Sequence, residues 1–212
     1  MLNALIVSGG NAPNEKLLKK YAGMCDFVIG ADKGNECLIK YNVIPQLSLG
    51  DFDLINKEIL EIIYSKNIEV MKFPPEKDYT DTEIAIMEAL KKGADTIYLL
   101  GGTGTRVDHT LGNIGLILTT KEKGAKLIIV DDNNLVYLAD NNMTLHGEYG
   151  DNISFHALSD TVVNFKIEGA KYNLDGYDMH LLDPRAICNE FIDTPIKISF
   201  DRGNLLIMHS ND

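Results

Sequence analysis

Residues 96–130 read TIYLLGGTGTRVDHTLGNIGLILTTKEKGAKLIIV, and this stretch alone contains a strand, a turn, a helix and a second strand. Ile97–Leu100 and Leu127–Val130 are short apolar runs, typical of strands that are buried on both faces of a sheet. Between them Val107–Lys123 has a helical pattern, and Gly124 suits the left-handed turn that closes a helix. Strands that alternate with helices in this way predict a parallel sheet covered by helices.

The same alternation extends over the first 130 residues. Apolar runs rich in Ile, Val and Leu predict six strands, at Ala4–Val7, Phe27–Ile29, Leu47–Leu49, Ile68–Phe73, Ile97–Leu100 and Leu127–Val130. Helical patterns lie between them, at Asn14–Ala22, Asn35–Tyr41, Asn56–Lys66, Thr80–Lys92 and Val107–Lys123. Thr80 and Glu83 resemble a capping box that opens the fourth helix, and Gly23 and Gly93 are placed to close two others as Gly124 does. We expect an α/β domain with a mostly parallel sheet flanked by helices.

The alternation of strands and helices ends after Val130, where short strand patterns are separated by turn residues. The strand candidates are Leu135–Leu138, Met143–His146, Ile153–Ala157, Val162–Ile167, Lys171–Leu174, Ile187–Ile192, Ile196–Phe200 and Leu205–Met208. The last two are expected to form a hairpin across Asp201-Arg202-Gly203. This spacing predicts a smaller all-β sandwich domain over 132–212, after an α/β domain over 1–131.

Composition narrows the classes of function. The chain has 212 residues and a formal net charge of −11, with 20 Lys and Arg against 31 Asp and Glu. An acidic chain is a poor match for nucleic acid, and no apolar run approaches the ~20 residues that span a bilayer. No basic segment or cleavage site opens the sequence, so a cytoplasmic protein is expected. The three Cys and five His residues show neither disulfide nor zinc-site spacing.

The polar residues of the first domain follow the ends of its predicted strands. In a parallel sheet the carboxyl ends of the strands form the ligand crevice, so these loops are expected to converge. Asp51 and Asp53 come directly after the third strand, two residues apart, and can therefore point to the same side. Such a pair suits Mg²⁺ held by carboxylates and phosphate oxygens. Two aspartates that merely form a turn are the alternative.

A second acidic pair, Asp78 and Asp81, lies on either side of the start of the fourth helix, beside Lys77. Acidic residues at that position are also favoured by the helix dipole, so a capping role is the alternative. If the two acidic pairs converge, a site for a metal ion and phosphate becomes the better interpretation.

The glycine-rich loop Gly101–Asp108 precedes a helix and offers free backbone N–H groups to a polyphosphate. It is neither a Walker A loop nor the dinucleotide fingerprint. Arg106 adds a bidentate phosphate donor. His109 and Asn113 fall on one face of the helix that follows. A lone histidine such as His109 is more often a structural hydrogen-bonding residue than a base.

Four segments, in order, resemble the thiamin pyrophosphokinase family: A-D-K-G, G-D-F-D, P-x-E-K-D-x-T-D-x-E-x-A and G-G-x-G-x-R-x-D-H with a following Asn. The likeness continues through Gly169–Leu174, Cys188–Phe191 and Gly203–Leu206. It implies transfer of the pyrophosphoryl group of ATP to the hydroxyl of thiamin, which yields thiamin diphosphate and AMP. It also implies Mg²⁺ as cofactor, ATP and thiamin as partners, and a homodimer with the active site near the subunit interface.

By this resemblance the site residues fall into three groups. The catalytic group is Asp51, Asp53, Asp78, Asp81 and Lys77, of which Asp51, Asp53 and Asp78 hold the metal. The ATP-binding group is Asp32, Gly102, Gly104, Arg106, Asp108, His109 and Asn113. The thiamin-binding group is Tyr172, Cys188 and Asn189, where the ring of Tyr172 can stack on the cationic thiazolium. Leu54 and Cys188 each replace a serine that is common in the family.

Three other functions are weighed against this one. A pyrophosphokinase for another ring alcohol, such as a hydroxymethylpterin, would share the first domain and differ in the second. A non-catalytic nucleotide- or metal-binding sensor is disfavoured because the sequence retains both acidic pairs together with Lys77 and Arg106. A sugar-nucleotide transferase that used Asp51-Phe52-Asp53 as its metal motif would leave the Gly101–Asp108 loop unexplained.

Overall fold

A computed structural model describes residues 1–53, 55–74, 76, 78–140 and 142–211. The chain divides into two compact units, the first over Met1–Asp132 and the second from Asn133 onward. Within the described residues, no helix has both the length and the hydropathy that spanning a membrane requires.

The first unit is a parallel sheet with helices between successive strands. Its strands are β1 (Asn3–Val7), β2 (Phe27–Ala31), β3 (Leu47–Gly50), β4 (Glu69–Lys72), β5 (Thr96–Leu100) and β6 (Lys126–Val130). Its helices are α1 (Glu15–Ala22), α2 (Gly34–Lys40), α3 (Lys57–Ser65), α4 (Asp81–Lys91) and α5 (Val107–Glu122). The strands lie in the order β6-β5-β1-β2-β3-β4, and each neighbouring pair is parallel. The predicted parallel α/β architecture is confirmed.

The order of the strands explains their composition. Every residue of β2 is buried, and so are four of the five residues of β1, because both strands are internal and covered on both faces. At the end of this order β4 exposes Glu69 and Lys72. Charged side chains on such a strand discourage pairing with another chain.

The helices begin and end largely where their capping residues predict. The side chains of Asn14, Asn56 and Thr80 accept backbone N–H groups in the first turns of α1, α3 and α4. Gly93 and Gly124 take left-handed conformations, with φ of 86° and 83°. Gly23 does not: its φ of −74° continues the right-handed turn of α1, so the left-handed turn predicted there is wrong.

The second unit consists of two antiparallel sheets around one core. Its strands are β7 (Asn134–Leu138), β8 (Met143–Leu145), β9 (Asn152–Ala157), β10 (Val162–Glu168), β11 (Leu174–Met179), β12 (Asn189–Glu190), β13 (Ile196–Ser199) and β14 (Leu205–Ser210). One sheet has the order β12-β9-β14-β7 and the other β11-β10-β13-β8. Phe155, Phe165 and Phe191 are almost fully buried in the shared core. The predicted all-β architecture is confirmed.

Three details of this unit differ from the sequence prediction. The strand expected at Lys171–Leu174 lies later, as β11, and the one expected at Ile187–Ile192 is reduced to the two residues of β12. The predicted hairpin across residues 201–203 is wrong, because β13 and β14 belong to different sheets. Asp201 and Arg202 instead bond to the backbone of Val163 as the chain crosses between the sheets.

Candidate active site

A cleft of about 490 Å³ lies at the carboxyl ends of the first unit's strands. The turns after β1, β2, β3 and β5, together with the start of α4, form its walls. The described residues that line it are Ser8, Gly9, Gly10, Asn11, Asp32, Lys33, Asp51, Tyr79, Thr80, Asp81, Thr82, Gly101, Gly102, Thr103, Gly104, Thr105, Arg106, His109 and Asn113. Parallel strands bring these separate segments to one edge, as the sequence predicts.

The turns after β1 and β5 fit together without room for side chains. The Gly10 N–H donates to the Gly101 carbonyl oxygen at 2.9 Å, and the Asn11 N–H donates to the Thr103 carbonyl oxygen at 2.7 Å. A Cβ at Gly10 would lie 2.2 Å from the Thr103 carbonyl oxygen, and a Cβ at Gly101, where φ is +67°, would lie 2.3 Å from the Ser8 carbonyl oxygen. These glycines therefore set the shape of the cleft floor.

Three carboxylates influence one another in the cleft. Burial raises the pKa of Asp32, and the charges of Asp81 and Asp51 raise it further, while an N–H from Lys33 and its charge act in the opposite direction. The Oδ1 atom of Asp32 is buried without a hydrogen-bond partner. The negative charges of its neighbours destabilise the ionised form of Asp32, so a cation bound beside it would stabilise that form.

Asp51 and Asp53 are arranged differently from the sequence expectation. Phe52 between them is buried and has a φ of 62°, so the backbone is not extended and a spacing of two residues does not place both side chains on one side. An Asp51 carboxylate oxygen accepts the Asp53 N–H at 3.0 Å. Asp51 lines the cleft, whereas Asp53 is exposed and is not among the lining residues.

The start of α4 holds Asp81 in the cleft wall. The Thr80 hydroxyl caps the helix by accepting the Glu83 N–H at 3.2 Å. The hydroxyls of Ser8 and Thr82 share a buried hydrogen bond of 2.5 Å that ties the first turn of α4 to the end of β1. Asp78 is exposed and does not line the cleft. Lys77 lies outside the described residues.

Arg106 and Asp108 pair with each other at the mouth of the cleft. Arg106 Nη2 lies 2.6 Å from Asp108 Oδ2, and Arg106 Nε donates to Asp108 Oδ1 at 3.2 Å. The hydrogen bond from Arg106, with an N–H from His109, lowers the pKa of Asp108 to about 2. Arg106 lines the cleft and Asp108 does not, so a phosphate that took Arg106 would have to displace this carboxylate.

Asn113 and His109 lie on the face of α5 that meets the glycine-rich loop. Asn113 is buried, and its side-chain amide donates to the Gly102 carbonyl oxygen at 2.6 Å. The bond fixes the orientation of the loop, whose residues Gly102 and Gly104 both line the cleft. His109 also lines the cleft and is exposed to solvent.

Three further residues line the cleft that no sequence pattern marked as functional: Lys33, Ser8 and Thr82. Lys33 belongs to the A-D-K-G segment, so its place in a family motif could have identified it. Ser8 and Thr82 are 74 residues apart, and nothing in either local sequence indicates their hydrogen bond. The packing of α4 against β1 brings them together.

The donor set of the cleft fits Mg²⁺ bound together with a phosphorylated ligand. Asp32, Asp51 and Asp81 provide oxygen donors, and hard cations prefer such donors. Within the described residues no three acidic, His or Cys side chains are grouped closely enough to enclose an ion on their own. Mg²⁺ usually retains waters and phosphate oxygens beside one or two carboxylates, so a partial protein site is sufficient.

The three residues predicted to bind thiamin lie in the second unit and differ in accessibility. Tyr172 is exposed, whereas Asn189 is 2% exposed. The Asn189 side chain accepts the Tyr172 N–H at 3.0 Å and donates to the Tyr172 carbonyl oxygen at 2.7 Å. Cys188 is exposed, has a φ of 54°, and donates its N–H to Ser154 Oγ. Asn189 thus holds the backbone of Tyr172 and leaves the tyrosine ring accessible.

Two family models match the chain, one over each unit. Residues 18–129 match "Thiamin pyrophosphokinase, catalytic domain" and residues 141–205 match "Thiamin pyrophosphokinase, vitamin B1 binding domain". Among curated proteins, the thiamine pyrophosphokinase of Bacillus subtilis (strain 168) is 32% identical over 214 residues, which cover 98% of each chain.

Solved structures have the same fold over the whole chain. The crystal structure of thiamine pyrophosphokinase from Bacillus subtilis superposes with a TM-score of 0.85 at 30% identity and covers 99% of both chains. The thiamin pyrophosphokinase structure from Geobacillus thermodenitrificans gives a TM-score of 0.84 at 30% identity, covering 100% of this chain and 98% of the other. The yeast enzyme, at 16% identity, has a TM-score of 0.84 and supports the fold alone.

Proposed function

The chain belongs to the thiamin pyrophosphokinase family, and we propose that its α/β cleft binds ATP with Mg²⁺ and transfers the pyrophosphoryl group to the hydroxyl of thiamin. The chain is a transferase of this family. No observation favours a pterin substrate, a sensor or a sugar-nucleotide transferase. The observation that carries the proposal is the convergence of four family segments, far apart in sequence, on one cleft.

The chemistry requires positioning and neutralisation of charge. The hydroxyl oxygen of thiamin attacks the β-phosphorus of ATP and loses its proton to solvent. The bond from that phosphorus to the oxygen that bridges it to the α-phosphorus breaks, and AMP leaves. Transfer of this kind needs little covalent help from protein groups. We assign the polyphosphate to the glycine-rich turn after β5, whose backbone N–H groups can reach phosphate oxygens. The turn after β1 supports it from below, because the Gly10 and Asn11 N–H groups donate to the Gly101 and Thr103 carbonyl oxygens. Arg106 pairs with the phosphates once it leaves Asp108.

Lys33 is proposed as a further phosphate-binding cation. The described cleft lining contains three aspartates and two cations, Lys33 and Arg106. Arg106 is held by Asp108, whereas Lys33 has no ion pair among the described residues. A bound polyphosphate therefore meets Lys33 as the cation that needs no prior release. Lys77 is predicted to serve the same end.

Asp51 and Asp81 are proposed to hold Mg²⁺ with ATP, and both are close enough to Asp32 for their charges to raise its pKa. Asp53 and Asp78, which do not line the cleft, remain predicted ligands. When bound, Mg²⁺ supplies charge neutralisation and orients the phosphate oxygens. The aspartates contribute by presenting oxygens at a rim that is rigid on the β1 side and capped by Thr80 on the α4 side.

Thiamin is proposed to bind the second unit at Tyr172. An exposed tyrosine ring attracts a cation on its face, and the thiazolium carries such a charge. A homodimer with the active site near the subunit interface is predicted from the family, and light scattering at working concentration tests it. The cytoplasmic location is likewise a prediction, to be tested by cell fractionation.

The decisive experiment incubates the purified chain with ATP, Mg²⁺ and thiamin and identifies both products. We expect AMP and thiamin diphosphate. Formation of ADP with thiamin monophosphate would show that a single phosphoryl group is transferred. Turnover with a hydroxymethylpterin but not with thiamin would move the proposal to another ring alcohol, and turnover with neither would favour a sensor.

A further inference from the structure

The second unit contains a pocket of about 610 Å³ to which the proposed reaction gives no task. Three segments surround it, at residues 159–163, 180–181 and 202–203. We call it the β-unit pocket, and the described residues that line it are Ser159, Asp160, Thr161, Val163, His180, Leu181, Arg202 and Gly203. All of them belong to one compact unit.

The backbone around the β-unit pocket is fixed in an unusual conformation. The Val163 N–H donates to the Arg202 carbonyl oxygen at 3.0 Å, which ties the turn before β14 to β10. A Cβ at Gly203, where φ is +116°, would lie 2.7 Å from the Thr161 carbonyl oxygen. Ser159 has a φ of 88°, which non-glycine residues rarely adopt. Backbone strain of this kind persists only where surrounding contacts hold it, and functional sites are a common location.

Hydrogen bonds within the walls leave donors for a ligand. The Asn204 amide donates to Ser159 Oγ at 3.0 Å, so the hydroxyl hydrogen of Ser159 remains available. The Thr161 hydroxyl and His180 Nδ1 are 2.9 Å apart. When Thr161 donates to Nδ1, or when the ring is protonated, Nε2 of His180 carries a hydrogen that can be donated.

Arg202 supplies the cation of the β-unit pocket. Within the described part of the chain its guanidinium forms no ion pair. The planar guanidinium matches two oxygens of a phosphate group.

We propose that the β-unit pocket binds the phosphate or diphosphate group of a small molecule. Arg202 is the bidentate donor, and Ser159 and His180 each add a hydrogen bond. Asp160 also lines the pocket, and its carboxylate opposes an anionic ligand. Asp160 therefore limits the affinity. Removing its charge is expected to strengthen phosphate binding, whereas removing the charge of Arg202 is expected to weaken it.

The test is a titration of the full ¹⁵N-labelled chain with orthophosphate and, separately, with pyrophosphate, followed by NMR without divalent cations. We expect saturable shifts at Ser159, Thr161, His180 and Gly203. Arg202→Gln is expected to weaken this binding at least roughly ten-fold, and Asp160→Asn to strengthen it roughly two- to three-fold. Lys197→Gln, at an exposed position in β13 of the same unit, is the matched control and leaves the dissociation constant unchanged.

The tighter of the two probes identifies the ligand group as phosphate or diphosphate. Absence of saturable shifts in the β-unit pocket, or equal dissociation constants for the wild type and Arg202→Gln, overturns the proposal. Phosphate binding in the α/β cleft appears separately, as shifts in residues 8–11 and 101–106. The measurement uses neither thiamin nor turnover, so its result is independent of the proposed reaction.

Discussion

The carboxylates of Asp51 and Asp81 line one cleft, although 29 residues lie between them in the sequence. Asp51 directly follows β3, and Asp81 is the first residue of α4. Each is expected to hold the cation that accompanies ATP. Asp51→Asn and Asp81→Asn keep the volume and remove the charge, and each should lower kcat by at least about a hundred-fold. The measurement is AMP formation, with circular dichroism to verify folding.

Glu61→Gln is the control for this pair, because it removes an exposed carboxylate of α3 and should leave turnover unchanged. Rates within about two-fold of wild type in both aspartate variants, with the fold intact, would remove the two residues from the metal site. The same comparison at Asp53 and Asp78 decides whether carboxylates outside the cleft lining take part.

The proposed phosphate-binding role of Lys33 can be tested by removing its charge. It lies directly before α2 and lines the cleft, whereas Lys40 lies at the other end of the same helix. Lys33→Gln should raise KM for ATP about ten-fold, because the phosphates lose a cation in a site that already contains three carboxylates. Lys40→Gln changes the net charge equally and should leave KM unchanged. Equal effects of the two substitutions would indicate only a long-range charge effect.

At the scale of secondary-structure elements, the turn after β1 packs closely against the turn after β5. A methyl group at Gly10 would meet the Thr103 and Gly101 carbonyl oxygens at 2.2 and 2.5 Å. Gly10→Ala should therefore lower the free energy of unfolding by about 2–3 kcal/mol and weaken ATP binding, as read from urea denaturation and nucleotide titration.

Gly112→Ala is the matched control for this substitution. An added Cβ at Gly112, within α5, meets no atom within 4 Å. Replacing glycine by alanine in a helix then stabilises the protein by about 0.5–1 kcal/mol. If both substitutions change the unfolding free energy in the same direction, the close approach of the two turns does not determine the stability.

The buried Asn189 side chain of β12 holds both backbone polar groups of Tyr172. Asn189→Ala would leave the Tyr172 N–H and carbonyl groups without their partner, at a cost of about 2 kcal/mol in stability. If Tyr172 contacts thiamin, KM for thiamin rises while kcat changes less. Asn173→Ala removes a bond to Ala170 in the same loop and serves as control. An unchanged KM in a folded Asn189→Ala protein would contradict the positioning role.

Elements also differ in how far the sequence determines them. The strands of the parallel sheet were predicted to within two residues at each end, because internal strands need continuous apolar runs and the helices between them carry their own caps. The second unit was predicted less well. Lys171–Leu174 has residues suited to a strand, yet the side chain of Asn189 holds Tyr172 in a loop.

The turn at Asp201–Gly203 shows why the rest could not be predicted. Asp-Arg-Gly signals a change of direction, and local sequence does not say whether the next strand pairs with the previous one or joins the other sheet. Likewise, the bond between Ser8 and Thr82 and the burial of an Asp32 oxygen depend on packing between segments that are distant in sequence. The site's location follows from sequence, whereas the partners of its side chains follow from tertiary packing.

At the scale of the whole molecule, charge limits how ATP can bind. A chain with a net charge of −11 repels a nucleotide at long range, so affinity must come from the local cations of the cleft and from metal ions. The cleft lies entirely within the first unit, and Tyr172 lies in the second. Nucleotide and thiamin are therefore expected to contact different units of the chain.

Hydrogen–deuterium exchange on the full chain tests this division. Mg²⁺ and ATP without thiamin should protect residues 101–106, because bound phosphate engages N–H groups of the turn after β5. Thiamin alone should protect residues 170–174 and 187–190, where Tyr172 and its Asn189 support lie. Protection by thiamin confined to the first unit would contradict a thiamin site at Tyr172. Because the substrates are added singly, no turnover occurs, and a failed thiamin arm would leave the nucleotide assignment intact.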